Sequence, residues 1–99
     1  MEIKTELNGK ELTVAVCGKI DSATAPQLET TLKDAFVDID SLIFDFAALD
    51  YMSSAGLRVL LGAQKKLNAA KGKMLIKNCN ETLMKIFEVT GMSMIFTFE

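Results

Sequence analysis

The sequence predicts a single α/β domain built on a mixed, mainly parallel sheet of about five strands with three or more helices. Its 99 residues suffice for one compact domain and are too few for two. Apolar segments with strand character alternate with amphipathic segments of helical period, as expected for parallel strands joined by helices. An apolar fraction of 49% with a charged fraction of 24% is typical of a folded domain and not of a disordered chain.

An antiparallel hairpin begins the predicted fold. Residues 2–6 and 11–17 have the composition of strands, and they flank Asn8-Gly9, the dipeptide most typical of short hairpin turns. Because successive side chains of a strand point to opposite faces, Val14 and Val16 are expected on the same face. We therefore expect these two strands to pair with each other before the helical part of the chain begins.

A first helix is predicted to follow the hairpin. Its start is indicated by Thr24-Ala25-Pro26-Gln27, in which the threonine is an N-cap residue, the proline is tolerated in the first turn and the glutamine completes a capping box. The apolar side chains expected on its buried face recur at helical spacing: Leu28, Leu32, Ala35 and Phe36.

The rest of the chain alternates strands with helices. In order, the sequence predicts a strand at 41–46, a helix from about Ser54 to Lys71-Gly72, a strand at 74–77, a helix from Asn80 to Gly91 and a strand at 94–98. The element order is then ββαβαβαβ. Leu57, at the start of the second helix, is assigned to the core and not to an exposed apolar anchor. Strands joined by helices favour parallel pairing beyond the opening hairpin.

The run from Asp50 to Leu57 places two hydroxyls and a glycine at the predicted junction between a strand and a helix. Unpaired N–H groups and the helix dipole favour negative charge at such an N-terminus, and ligands of parallel sheets meet the loops beyond the carboxyl ends of the strands. A serine there is also a common N-cap, which stabilises a helix by about 1 kcal/mol without any chemistry. Position alone leaves both interpretations of Ser53 and Ser54 open.

The residue inventory argues against catalysis. The sequence contains no histidine, so a Ser-His-Asp triad is excluded, and Lys65 and Lys66 lie roughly 16 Å along the helix from Ser54. The glycine pattern of a phosphate-binding loop is missing as well. We therefore expect a protein that is not an enzyme, in which a junction serine accepts a phosphate from a kinase.

Three aspartates are candidate acid, base or metal-binding groups: Asp21, Asp45 and Asp50. Aspartate is also typical of turns and helix caps, and that is the preferred interpretation of all three. Asp21 and Asp50 would in addition make the surroundings of a phosphorylated serine more negative. Without histidine or a closely spaced cysteine pair there is no metal-ligand set, so neither a metal nor a cofactor is expected.

Charge and cysteine content narrow the expected partners and compartment. A net charge of −2 without a positive stripe argues against a direct nucleic-acid partner, and the lysines between residues 65 and 73 suit a solvated helix end. No apolar stretch has the length of a transmembrane helix, so no membrane insertion is expected. Cys17 and Cys79 are expected to be buried or half-buried thiols of a cytoplasmic protein, since no signal peptide is recognisable.

Nearly the whole chain, moreover, resembles the STAS domain of bacterial anti-sigma-factor antagonists. The resemblance rests on motifs in the family's order and spacing: Gly18-Lys19-Ile20-Asp21, Thr24-Ala25, Leu42-Ile43-Phe44-Asp45, Tyr51-Met52-Ser53-Ser54-Ala55-Gly56-Leu57, Leu60-Leu61 and the run from Met84 to Met92. It implies one STAS domain over residues 1–99.

The resemblance implies a regulator that binds an anti-sigma factor, often itself a serine kinase, and so frees a sigma factor for transcription. Phosphorylation by that kinase turns the antagonist off, and a PP2C-type phosphatase restores it. The register of the family places the modified serine at Ser54. Ser53 is the second candidate, because the family commonly has aspartate at that position and here it adds a second hydroxyl. We expect the free protein to be a monomer.

The resemblance also implies a partner-binding surface made of Asp21, Ser53, Ser54, Gly56 and Arg58. Asp21 is expected to contact the kinase or to position the hydroxyl. Arg58 should lie on the outward side of the second helix, where it is either an interface residue or simply solvated. A second function stays open, because STAS-like domains also occur as non-catalytic adaptor subunits of lipid-transport ABC complexes.

Overall fold

The computed structural model of the protein describes residues Met1–Glu99 and shows a five-stranded sheet with three α-helices. The elements are β1 (Glu2–Asn8), β2 (Glu11–Ile20), α1 (Ala25–Ala35), β3 (Ser41–Asp45), β4 (Leu49–Met52), α2 (Ser54–Ala69), β5 (Lys73–Lys77), α3 (Glu81–Val89) and a 3-10 helix (Met92–Met94). The predicted fold class, a mixed sheet with three helices in one small α/β domain, is confirmed.

The sheet is parallel everywhere except at the opening hairpin. Its strands follow the order β1-β2-β3-β5, and β4 pairs with β2 beside this path. Only β1 and β2 are antiparallel, while β3 pairs in parallel with both β2 and β5. The ten-residue β2 serves two partners along its length: residues 11–15 pair with β3, and residues 18–20 pair with β4. The C-terminal end of β2 therefore pairs with β4, the shortest strand of the sheet.

The hairpin turn lies one residue later than the dipeptide suggested. Asn8 pairs with Glu11, so the two loop residues are Gly9 and Lys10, and β1 extends to Asn8. Gly9 has a φ of 62°, whereas Lys10 does not have a positive φ. This is the pattern of a type II′ turn, in which glycine at the first central position matches the twist of the flanking strands.

The strand β4 lies within residues 47–53, where the sequence pattern predicts only a connection. It has four residues, of which only the terminal Leu49 and Met52 are buried. The alternation that marks a half-buried strand is therefore absent, because Asp50 and Tyr51 in the middle are both exposed. Pairing with β2 across a register shift between Gly18 and Lys19 stabilises β4 instead.

The predicted strand at 94–98 is wrong. A 3-10 turn follows α3 after the left-handed Gly91, and the N–H groups of Ile95 and Phe96 both donate to the Met92 carbonyl, at 3.0 and 3.1 Å. Only an isolated parallel bridge between Ile76 and Phe98 remains beside β5. The Phe96 ring packs edge-on against Phe87, with ring centroids 5.8 Å apart, and two backbone hydrogen bonds join Ile76 to Thr97 and Glu99, so packing and this single bridge position the C-terminal segment.

One apolar core joins the covered face of the sheet to the helices. It contains 23 buried residues, and no polar or charged residue is buried. Val14 and Val16 share its face, and Leu57 belongs to it, as predicted. Ala35 and Phe36 are only half-buried. Alternate β-strand residues point to the opposite, helix-free face of the sheet.

The two cysteines are unpaired thiols in different surroundings. Cys79 is half-buried, and burial raises the pKa of its thiol to about 11. Cys17 is exposed, so the expectation that it is buried or half-buried is wrong. The reason is strand alternation, because Cys17 follows the buried Val16 on β2 and thus faces away from the helices.

The packing of Phe87 should hold the C-terminal segment in place. Phe87→Ala is expected to lower the free energy of unfolding by about 3–5 kcal/mol, because it removes a fully buried ring that packs against Phe96 and Phe98. Val89 lies on the same helix and is 74% exposed, so Val89→Ala should change the free energy by no more than about 0.5 kcal/mol. Urea unfolding of both variants measures the difference, and equal losses would contradict this assignment of the core.

Candidate functional site

The predicted junction forms where the parallel strands β2 and β4 end side by side. Ile20 pairs with Met52, and the N–H of Ser53 donates to the Ile20 carbonyl at 2.8 Å. Beyond this point the two chains diverge, one through Asp21 into α1 and the other through Ser54 into α2. The fold thus brings Asp21 and the serine pair to the carboxyl edge of the same two strands, where parallel sheets place their ligands and partners.

Gly56 sets how closely α2 approaches this edge. It is buried, and a Cβ built on it would lie 2.6 Å from Met52 Cγ and 2.7 Å from Ile20 Cγ2. The Cβ of Ile20, which is fixed to the backbone, would be only 3.2 Å away. Only glycine lets the first turn of α2 lie directly on the ends of β2 and β4. Gly56 therefore positions the neighbouring serines from beneath the surface.

Ser53 occupies the N-cap position of α2, but its side chain does not cap the helix. The backbone is extended, with φ −88° and ψ 176°, and the hydroxyl makes no cap hydrogen bond. Its Oγ is buried without any hydrogen-bond partner. A hydroxyl cap at Ser53, one of the interpretations that the sequence leaves open, is therefore not seen, because the N–H to Ile20 fixes the residue with its hydroxyl turned inward.

Ser54 is the first residue of α2, and it is exposed. The helical hydrogen bonds begin with the N–H of Leu57, which donates to the Ser53 carbonyl at 3.1 Å. The N–H groups of Ser54, Ala55 and Gly56 precede that bond and have no acceptor within the helix. An exposed hydroxyl thus lies at the positive end of a sixteen-residue helix.

Asp21 organises the turn from β2 into α1. Its Oδ1 accepts hydrogen bonds from the N–H groups of Ala23 and Thr24, at 2.9 and 3.0 Å. These backbone bonds, first the one from Thr24, lower the pKa of the Asp21 carboxyl despite the opposing effect of partial burial. The structure therefore agrees with the preferred interpretation of Asp21 as a turn and cap residue, ionised at neutral pH.

The capping box predicted at the start of α1 is not formed. Thr24 is at the N-cap position, but its side chain caps no helical N–H. Its Oγ1 instead accepts the N–H of Asp21 at 2.8 Å and donates to the Lys19 carbonyl at 3.0 Å. The N–H of Thr24, which the Gln27 side chain would accept in a capping box, donates instead to the Asp21 carboxylate, and the N–H of Gln27 donates to the Thr24 carbonyl at 3.0 Å.

Arg58 lies between Ser54 and the grooves that α1 and α2 form, and it lines both of these grooves. It lies four residues after Ser54, so the two exposed side chains share one face of the helix. Next to it is a groove of about 290 Å³ that includes Ser22, Pro26 and Ala55. The arginine also lines an adjoining groove of about 390 Å³, together with side chains from both helices: Glu29, Leu32, Lys33, Phe36, Val59, Gly62, Ala63 and Lys66.

Two exposed residues at this edge were not singled out from the sequence. Tyr51 is 45% exposed on β4, and Ser22 lies in the turn that Asp21 organises. The tyrosine stood within the motif already recognised, and its aromatic ring between an aspartate and the junction was the available signal. No such signal existed for Ser22, because its position depends on how α1 packs against α2.

Asp45, another candidate carboxylate, stabilises a turn by accepting hydrogen bonds. Asp45 accepts hydrogen bonds from Asn78 Nδ2 at 2.9 Å and from the Ala47 N–H at 3.1 Å, and these bonds lower the pKa of its carboxyl. No group of three or more histidine, cysteine, aspartate or glutamate side chains could hold a metal ion. None of the helices combines the length and apolar character needed to cross a membrane.

Comparison with known proteins identifies the fold and its relatives. Residues 2–99 match the model of the STAS domain family. The chain is 32% identical over 94 residues to the anti-sigma-B factor antagonist of Listeria monocytogenes, covering 94% of this chain and 82% of the relative. Among solved structures, an anti-sigma factor antagonist from Mycobacterium paratuberculosis is 26% identical, with a TM-score of 0.86 over 98% of this chain and 83% of that one. The fold is also shared with phosphorylated Bacillus SpoIIAA, at 21% identity and a TM-score of 0.78, covering 99% of this chain and 91% of that one.

The close approach at Gly56 can be tested with a second glycine of α2 as the control. Gly56→Ala is expected to destabilise the fold by about 1–3 kcal/mol, since the added methyl overlaps Ile20 and Met52. Nothing lies within 4 Å of a Cβ at Gly62, so Gly62→Ala should instead stabilise the helix by roughly 0.5–1 kcal/mol. Urea unfolding measures the change in the free energy of unfolding for each variant, and a stabilising effect of Gly56→Ala would contradict the described packing.

The hydrogen bonds to Asp21 should make stability depend on its ionisation. Because its pKa is lowered by folding, the stabilisation is complete above its ordinary value of 3.8 and is lost as the pH falls through the folded value. Asp21→Asn keeps an acceptor oxygen but cannot ionise, so this variant should be less stable at neutral pH and lose less stability in acid. Urea unfolding over a pH series measures this, and identical pH profiles would count against the role of Asp21.

Proposed function

The chain belongs to the STAS domain family, and from this premise we propose that it is an anti-sigma factor antagonist switched off by phosphorylation of Ser54. It acts by binding and not by catalysis. Its partner is an anti-sigma factor that is also a serine kinase, and binding releases a sigma factor in the cytoplasm. The observation that carries the proposal is the exposed Ser54 hydroxyl at the N-terminus of α2, in a chain whose relative from Listeria is named an anti-sigma-B factor antagonist.

The difference between the two serines supports Ser54 as the phosphate acceptor. A kinase must reach the hydroxyl oxygen, and Ser53 Oγ is buried whereas Ser54 is exposed. Phosphorylating Ser53 would also require its N–H to leave the Ile20 carbonyl or its side chain to turn outward. Ser54 needs no such change, because it extends from the first turn of the helix into solvent.

A phosphate on Ser54 would leave the fold intact. It adds a charge of about −1.5 to −2 next to the unpaired N–H groups of the first turn of α2, where the helix dipole favours negative charge. Arg58, one turn further on and exposed, lies on the same helix face and can pair with the phosphate. The modification therefore has no reason to unfold the domain.

The same phosphate would oppose partner binding. Asp21, whose carboxylate is ionised, follows β2 at the strand end beside the serine pair, and the exposed Tyr51 lies on β4 three residues before Ser54. A partner that packs against the unmodified hydroxyl would have to bury a doubly charged group beside an existing negative charge, and juxtaposed like charges cost several kcal/mol at an interface. A PP2C-type phosphatase that removes the phosphate would restore binding.

The acceptor and the switch can be tested together with the cognate kinase. Ser54→Ala should bind the anti-sigma factor with little change but acquire no phosphate, as measured by intact mass after incubation with kinase and ATP. Ser54→Asp should weaken binding at least about tenfold, measured by isothermal titration calorimetry, because it introduces charge where the partner packs.

Ser53→Ala is the matched control, since it removes the adjacent hydroxyl, which makes no hydrogen bond. This variant should be phosphorylated and should bind like the unchanged protein. If phosphate persists on Ser54→Ala but disappears from Ser53→Ala, Ser53 is the phosphorylated residue. Undiminished binding of Ser54→Asp would contradict the switch itself.

A further inference from the structure

The strand β1 leaves one complete edge of the sheet without a partner. It has seven residues, it pairs only with β2, and six of the seven are exposed. In a two-residue hairpin the residues flanking the loop form a hydrogen-bonded pair, and hydrogen-bonded pairs alternate along the ladder. Because Asn8 pairs with Glu11, the backbone groups of Ile3, Thr5 and Leu7 point away from β2. These are the groups available to another strand.

We infer that two copies of this chain associate through β1, antiparallel and about a two-fold axis at Thr5. In this register Ile3 of one copy lies opposite Leu7 of the second, and Thr5 lies opposite Thr5. All of these residues have outward-facing N–H and C=O groups, so the aligned residues can exchange both hydrogen bonds of an antiparallel pair. A shift of two residues in either direction would leave part of each strand unpaired.

The side chains on the helix side of β1 fit this register. Leu7 is 57% exposed although it lies opposite Leu12 of β2, whose side chain is buried in the core. Ile3, opposite Val16, is half-buried. Pairing with a second copy places Ile3 against the exposed Leu7 of the other chain, as a cross-strand apolar pair. Association thus covers apolar surface that the single chain leaves in water.

The charges on the helix-free side are complementary in the same register. The β1 sequence Glu2-Ile3-Lys4-Thr5-Glu6-Leu7-Asn8 places Lys4 opposite Glu6 of the second copy, and Glu6 opposite its Lys4. These form non-hydrogen-bonded pairs, in which opposing Cα atoms are about 4.5 Å apart and side chains lie close. Neither residue has an ion-pair partner within its own chain. Charged edge residues ordinarily discourage strand pairing, but this order of charges is self-complementary.

The association would not obstruct the candidate site, and it does not depend on the proposed function. The N-terminal end of β1 lies beside the end of β2 near Ser54, since Glu2 pairs with Cys17. Antiparallel pairing places the two copies' Ser54 surfaces at opposite ends of the joined strands. Each copy therefore keeps its own surface free, and the expectation of a monomer is replaced by that of a two-fold dimer.

Charge reversal provides the test, measured as the dissociation constant by sedimentation equilibrium. Lys4→Glu and Glu6→Lys should each weaken self-association at least about tenfold, because each places like charges opposite one another. The double variant, Lys4→Glu with Glu6→Lys, should associate like the unchanged protein. An equimolar mixture of the two single variants should form heterodimers, since their edges are complementary.

Lys85→Glu is the control for net charge, because this exposed lysine lies on α3 and away from the edge strand. It should leave the dissociation constant unchanged, and circular dichroism should show the same fold for every variant. The proposal is overturned if the unchanged protein remains a monomer at millimolar concentration. It is equally overturned if neither the double variant nor the mixture recovers association.

Discussion

The close approach of α2 to the ends of β2 and β4 is the constraint on which the candidate site depends. Gly56 permits it, because any larger residue would meet Ile20 and Met52. The Ser53 N–H then reaches the Ile20 carbonyl and fixes the entry of the chain into the helix. Two adjacent hydroxyls acquire opposite surroundings as a result: Ser53 Oγ is buried without a partner, and Ser54 is exposed. A motif of two serines thus presents one buried hydroxyl and one accessible hydroxyl.

The fold and the position of the site followed from sequence wherever local patterns and packing agreed. The hairpin, the helices and the junction at Ser54 were predicted because capping residues, glycines and apolar spacing marked the same boundaries. The short strand β4 was not predicted, because its two central residues are exposed and it pairs with β2, which is distant in the sequence. The strand expected at 94–98 failed for a related reason. Its apolar composition suits a strand, but Phe96 packs against Phe87, and only Phe98 forms a bridge with β5.

Hydrogen-bond partners were harder to predict than positions. Thr24 and Gln27 had the spacing of a capping box, yet Asp21 supplies the acceptor, because the turn between β2 and α1 brings its carboxylate to the N–H groups of Ala23 and Thr24. Ser53 stands at an N-cap but turns its hydroxyl inward. In both cases the residue types determine which side chains can accept a hydrogen bond. The direction of the backbone at the strand ends determines which of these side chains reaches an N–H group. Sequence patterns carry little information about that direction.

The domain separates the residues that stabilise it from those available for recognition. Its buried core is entirely apolar, whereas Ser54, Arg58 and Tyr51 are exposed and their side chains make no hydrogen bond or ion pair within the chain. Changes at these three positions can therefore alter partner binding with little effect on stability. Gly56 is the exception, because its effect on the site is transmitted through packing. A loss of binding caused by substitution there would have to be interpreted as displacement of α2, and only the exposed positions report directly on the proposed interface.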